Sequence, residues 1–127
     1  MPAYNAEKYI SEAIESILNQ TFKDFEFIII DDCSTDKTRE IAEDYAKKDS
    51  RIVILKNEKN LKLAETLNRG IEISKGKYIV RMDADDWSCP DRLCKQFVFM
   101  ENNPEIGISG GSMNICDENL NTRSIRK

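Results

Sequence analysis

Eight residues constrain this chain more than any other stretch: Phe25-Glu26-Phe27-Ile28-Ile29-Ile30-Asp31-Asp32. An apolar run without a polar face suits a strand buried on both sides, which is the habit of parallel sheets covered by helices. The run ends in two acids. Whatever fold forms around it carries a pair of carboxylates where a central strand stops.

The flanking segments supply the helices. Tyr9, Ile10, Ala13, Ile14, Ile17 and Leu18 recur at helical spacing, with Asn5 as N-cap and Glu7 in the first turn. Ser34-Thr35-Asp36 starts a second helix whose buried stripe is Thr38, Ile41, Ala42 and Tyr45. Ile52-Val53-Ile54-Leu55 reads as another strand, and Leu63, Ala64, Leu67 and Ile71 as the buried face of a third helix, closed by Gly76 in a left-handed cap. Lys77 to Met82 reads as a strand delivering Asp83-Ala84-Asp85-Asp86. Pro90-Asp91-Arg92 then opens a helix carrying Leu93, Phe97, Val98 and Met100 that stops before Pro104. Ile106 to Gly110 reads as a last strand, and Asp117 to Lys127 as a loose polar end.

Strands alternating with helices predict an α/β fold, with a mostly parallel, Rossmann-like sheet flanked by helices. With 127 residues, the chain is expected to form one domain around one core. In such sheets ligands bind beyond the carboxyl ends of the strands. Asp31 and Asp32 end one strand, while Asp83, Asp85 and Asp86 end another, so both acidic groups fall on one rim. Three carboxylates within four residues suit a cation carrying a diphosphate, or else a polar loop with a helix cap.

Net charge is −4 with acids and bases interspersed, which leaves no electrostatic footprint for nucleic acid. No apolar run is long enough to cross a bilayer, and the start lacks the pattern of a signal peptide, so a cytoplasmic location is expected. Cys33, Cys89, Cys94 and Cys116 form no C-x-x-C pair, and the chain has no histidine to complete a zinc site. They read as reduced thiols.

Pro2-Ala3-Tyr4-Asn5, Ser16 to Phe22, Asp31-Asp32-Cys33-Ser34-Thr35-Asp36, Asp83-Ala84-Asp85-Asp86 and Pro90-Asp91-Arg92-Leu93 come in an order and spacing that resembles family 2 glycosyltransferases. The resemblance implies a GT-A fold that binds a nucleotide-sugar donor, often UDP-linked, and passes the sugar to a hydroxyl with inversion. It implies a nucleotide site of Pro2, Tyr4, Asp32 and Asp83: Tyr4 stacking on the base, Asp32 accepting from the uracil ring N–H, and Asp83 turned toward ribose or metal-bound water. It makes Asp85 the ligand of Mn²⁺ or Mg²⁺. Asp86 is expected to cap the next helix, Trp87 to pack on its own scaffold, and Arg81 and Arg92 to form solvated ion pairs.

Catalytic residues stay unassigned, since the family's general base is an acid in the half that follows the donor site. The first helix starts near residue 5 without an apolar strand to feed it, so the fold is expected to be truncated at both ends. Exposed sheet edges then invite a homodimer. The acceptor implied is a sugar or a lipid-linked molecule in polysaccharide or glycolipid synthesis, with peripheral membrane association. Cys33 and Lys62 stand where the family commonly has glycine. The alternative is a non-catalytic remnant serving as a nucleotide-binding or assembly module. A related nucleotidylyltransferase would need a glycine-rich phosphate loop near the start, and no glycine precedes Gly70.

Overall fold

The computed structural model describes residues 1–117 and 122–126, in two compact units, 1–94 and 95–127. The first unit holds β1 (Pro2–Ala3), α1 (Ile10–Leu18), β2 (Phe27–Asp31), α2 (Thr38–Ala46), β3 (Ile52–Lys56) and α3 (Lys62–Ile73). The three strands form a parallel sheet in the order β1-β2-β3, with Ala3 opposite Asp31 and Phe27 opposite Ile52. Helix α4 (Arg92–Asn102) begins in the first unit and continues into the second. The second unit adds an antiparallel pair, β4 (Met113–Cys116) with β5 (Thr122–Arg126).

Alternation along β2 explains the layering. Phe27 and Ile29 enter a core with Ile10, Ala13, Ile14 and Ile17 of α1, Ala42 of α2 and Ile52 of β3. Ile30 points the other way, toward α3. A Cβ on Gly70 would lie 2.7 Å from Ile30 Cδ1, so the glycine is what lets α3 approach the strand. Both faces of the central strand are thus covered, as its unbroken apolar character predicts.

Several expectations fail, each for a local reason. Lys77 to Met82 is not a strand and joins neither sheet, and Ile79 and Val80 are exposed. Ile106 to Gly110 is not a strand either, and the described part of the polar end forms β5. Asn5 does not cap α1, which begins after a turn in which the Tyr9 and Ile10 N–H groups donate to the Ala6 carbonyl. Asn5 instead takes φ 49° and turns its Oδ1 to the Thr35 N–H at 2.9 Å. Gly76 has no left-handed conformation, and α3 ends at Ser74, whose hydroxyl donates to the Gly70 carbonyl at 2.7 Å. On α3 the buried residues are Thr66 and Gly70, while Leu63 and Ile71 are about half exposed. Among the described residues, no helix is long and apolar enough to cross a membrane.

Candidate functional site

Pairing of β1 with β2 builds one half of the site. The Asp32 N–H donates to the Ala3 carbonyl at 2.8 Å, which puts Tyr4, the next residue, beside the end of β2. Pro2 is buried in β1, and the Tyr4 ring is half exposed. Asp32 is buried and surrounded by donors: its Oδ1 accepts from Asn57 Nδ2 and from the Leu61 N–H, both at 2.7 Å, and its Oδ2 accepts from the Lys62 N–H at 3.0 Å. Burial alone would raise its pKa, but these hydrogen bonds outweigh it and hold the carboxyl below its ordinary value. Asp32 is therefore a carboxylate presenting acceptors only.

Asp31 is equally buried but differently used. Its Oδ1 accepts from the Ser34 N–H at 3.1 Å, while its Oδ2 has no hydrogen-bond partner among the described residues. The turn that follows places Cys33 at φ 65°, and Lys62, opening α3, is at φ 68°. Both residues expected to replace glycine thus sit in the left-handed region, where a side chain is strained.

The end of α1 builds the other half by gripping the acidic segment. Gln20 is fully buried; its Nε2 donates to the Ser16 carbonyl at 2.9 Å and the Cys89 carbonyl at 2.8 Å, and its Oε1 accepts from the Leu93 N–H at 3.0 Å. The Ser88 N–H donates to Ser16 Oγ at 3.2 Å, and the Thr21 N–H to the Pro90 carbonyl at 2.8 Å. Met82 and Ala84 enter the core, so Asp83 and Asp85 alternate outward from an anchored backbone. Arg92 adds a clamp, donating to Ser88 Oγ at 2.9 Å and to the Arg81 carbonyl at 2.8 Å, rather than forming the expected solvated pair.

The acids themselves differ. Asp83 is half-buried, and both of its oxygens accept from Arg81 Nη2, at 2.7 and 2.8 Å. Asp85 is exposed. Asp86 lies in a turn with its N–H 3.3 Å from the Asp83 carbonyl, well before α4, so it does not cap that helix. Burial, and then the neighbouring charges of Asp83 and Asp85, push its pKa up. Trp87 is 53% exposed instead of packed on the scaffold. Burial lowers the pKa of the Met1 amino group to about 6, against the raising effect of Asp83. Among the described residues, no three His, Cys, Asp or Glu side chains gather closely enough to enclose a metal ion. A cation here would need ligands from its own diphosphate, and the exposed carboxylate of Asp85 suits that shared coordination.

Sequence reasoning gave no role to the polar residues behind both halves. Asn57, Thr66 and Gln20 are fully buried, and Ser16 nearly so. Ser16 and Gln20 fall in the segment Ser16 to Phe22 that carries the family resemblance, but nothing in the sequence marks either as buried. For Asn57 no local pattern distinguishes it from a loop residue.

The Glycosyl transferase family 2 profile matches residues 1–127. An uncharacterised glycosyltransferase of Methanocaldococcus jannaschii is 48% identical over 123 residues, covering 95% of this chain and 42% of the relative. A Bacillus subtilis relative with a provisional teichuronic acid biosynthesis glycosyltransferase name, TuaG, is 42% identical over 99 residues, covering 78% of this chain and 39% of its own length. The crystal structure of S. aureus TarS 1–349 in complex with UDP aligns with a TM-score of 0.76 at 31% identity, over 81% of this chain and 31% of that one. The same protein in complex with UDP-GlcNAc aligns equally well, over 30% of its chain. This chain spans less than half the length of these relatives, and its fold is GT-A. A profile match along the whole chain and a relative at nearly half identity support one conclusion: the chain belongs to glycosyltransferase family 2.

Proposed function

We propose that this chain is the donor-binding half of an inverting, metal-dependent glycosyltransferase that takes a nucleotide sugar, with UDP as the nucleotide. The observation that carries the reading is Asp32, a buried carboxylate fixed as an acceptor at the carboxyl end of a parallel strand, with Tyr4 exposed beside it. Tyr4 offers a flat ring for a base to stack on, and Asp32 an acceptor for a base N–H. TarS, which matches over four-fifths of this chain, has been solved with UDP and with UDP-GlcNAc.

Asp83 and Asp85 project from the anchored segment toward ribose and diphosphate. Asp85 would hold Mn²⁺ or Mg²⁺ together with the diphosphate oxygens, where the ion supplies neutralisation of the charge on the departing nucleoside diphosphate. Asp83 must leave Arg81 to serve, and the freed guanidinium is then available to phosphate. We assign no general base. The acceptor is a hydroxyl of a sugar or lipid-linked molecule in polysaccharide or glycolipid synthesis. Four free cysteines fit a reducing, cytoplasmic setting.

Calorimetric titration of UDP into the purified chain tests the reading, first with Mn²⁺ and then with EDTA. Metal-dependent binding supports it. A folded sample that binds no UDP under either condition overturns the donor site, and binding indifferent to EDTA removes the metal.

A further inference from the structure

Behind Asp32 lies a second layer of polar side chains. Asn57, at the end of β3, donates through Nδ2 to Asp32 Oδ1 at 2.7 Å and to Thr66 Oγ1 at 2.9 Å. Its Oδ1 accepts from Arg69 Nη1, which also donates to the Lys56 carbonyl at 3.3 Å. A guanidinium has donors and no acceptor, so it fixes which way the Asn57 amide faces: oxygen to Arg69, nitrogen to Asp32. The amide is buried, which makes the alternative orientation costly, because it would set two donors and two acceptors against each other.

That orientation propagates to the carboxylate. Oδ1 of Asp32 is filled by Asn57 and the Leu61 N–H, and Oδ2 takes the Lys62 N–H. Every protein group that reaches Asp32 is a donor, the Thr66 hydroxyl among them. A carboxylate surrounded in this way can meet the ring edge of an incoming base only where that edge carries an N–H. Uracil offers one at N3 and guanine at N1, whereas cytosine N3 and adenine N1 present a lone pair that the carboxylate repels.

We propose that Asn57, oriented by Arg69, is a positioning residue that keeps Asp32 an obligate acceptor and so makes the site prefer nucleoside diphosphates whose base carries a ring N–H. This inference rests on the donor-site reading above and adds to it the residues that set base selectivity. If the pair only braced the segment between β3 and α3, its loss would weaken all nucleotides by one factor. A selectivity role changes the ratio between them.

The test is calorimetric titration of the full chain with UDP and with CDP, both with Mn²⁺, for the unmodified chain, Arg69→Met and Asn57→Asp. The unmodified chain should bind UDP about ten- to a hundredfold more tightly than CDP, the range of one hydrogen bond to a charged group. Arg69→Met lets the amide turn and should narrow that ratio. Asn57→Asp sets a second carboxylate against Asp32, so that the two share a proton and the ratio should approach one. Equal binding of UDP and CDP by the unmodified chain overturns the assignment and leaves the donor site standing, and this arm needs no variant to fold. An unchanged ratio in folded Arg69→Met also overturns it. Binding of neither nucleotide by the unmodified chain overturns the donor site, and the assignment with it.

Discussion

Arg81 neutralises Asp83 within the acidic segment, one guanidinium nitrogen lying 2.7 and 2.8 Å from its two carboxylate oxygens. The pair is substantially exposed, so its contribution to stability is small, about 1 kcal/mol or less. Its effect on the donor is larger, because a diphosphate that draws Asp83 away frees the guanidinium for its own oxygens. Arg81→Gln should leave the melting temperature within a few degrees of the parent and weaken UDP binding several-fold in calorimetric titrations with Mn²⁺. Unchanged affinity would show that Arg81 does no more than pair with Asp83.

Gln20 ties α1 to the acidic segment and to the first N–H groups of α4. Replacing it with leucine leaves the buried Leu93 N–H without its partner, at about 1–3 kcal/mol, and strands the part-buried Cys89 carbonyl at a smaller cost. Gln20→Leu should therefore lower unfolding free energy in urea by roughly 3 kcal/mol. A loss below 1 kcal/mol would mean that water replaces the amide.

Cys33 and Lys62 hold positive φ at 65° and 68°. Glycine takes that conformation freely but gives the unfolded chain more entropy, so each substitution should gain a net ~0.5–1 kcal/mol. Urea midpoints of Cys33→Gly and Lys62→Gly check this. A fall in either midpoint would mean that the side chain makes a contact worth more than the strain.

Asp36 supplies a pH dependence. Its Oδ1 accepts from the Thr38 N–H at 2.9 Å and its Oδ2 from the Glu7 N–H at 3.1 Å. Burial raises its pKa, but hydrogen bonds led by the Thr38 hydroxyl outweigh this and lower it below 3.8. The folded carboxyl thus binds its proton less tightly than the unfolded one. Its stabilisation is complete above 3.8 and disappears as pH falls through the lowered value. Asp36→Ala should cost about 1 kcal/mol near neutrality, as loss of a capping side chain does. The gap from the parent should narrow below about pH 4, read from urea unfolding at both pH values.

The central strand and α1 were legible in the sequence because burial on both faces and a 3.6-residue stripe are local patterns. Ile79 and Val80 misled because an apolar run states a readiness to pair, whereas a strand needs a partner strand, and theirs joins neither sheet among the described residues. Leu63 and Ile71 misled in a similar way, since what brings α3 onto β2 is the absence of a side chain at Gly70. At the site, Asp32, Asp83 and Asp85 could be picked out as chemistry-bearing types. Asn57 and Gln20 could not, because the partners that hold a buried amide include one 25 residues away for Asn57 and one 73 away for Gln20.

The grip of α1 on the acidic segment also predicts how that segment moves. Residues 86–90 belong to no helix or strand, yet the Ser88 N–H is bonded to Ser16 Oγ and the Leu93 N–H to Gln20, both in buried contacts. Those two amides can meet solvent deuterons only when the end of α1 opens, so they should exchange on the slow timescale of the core while the Asp85 and Trp87 amides beside them exchange quickly.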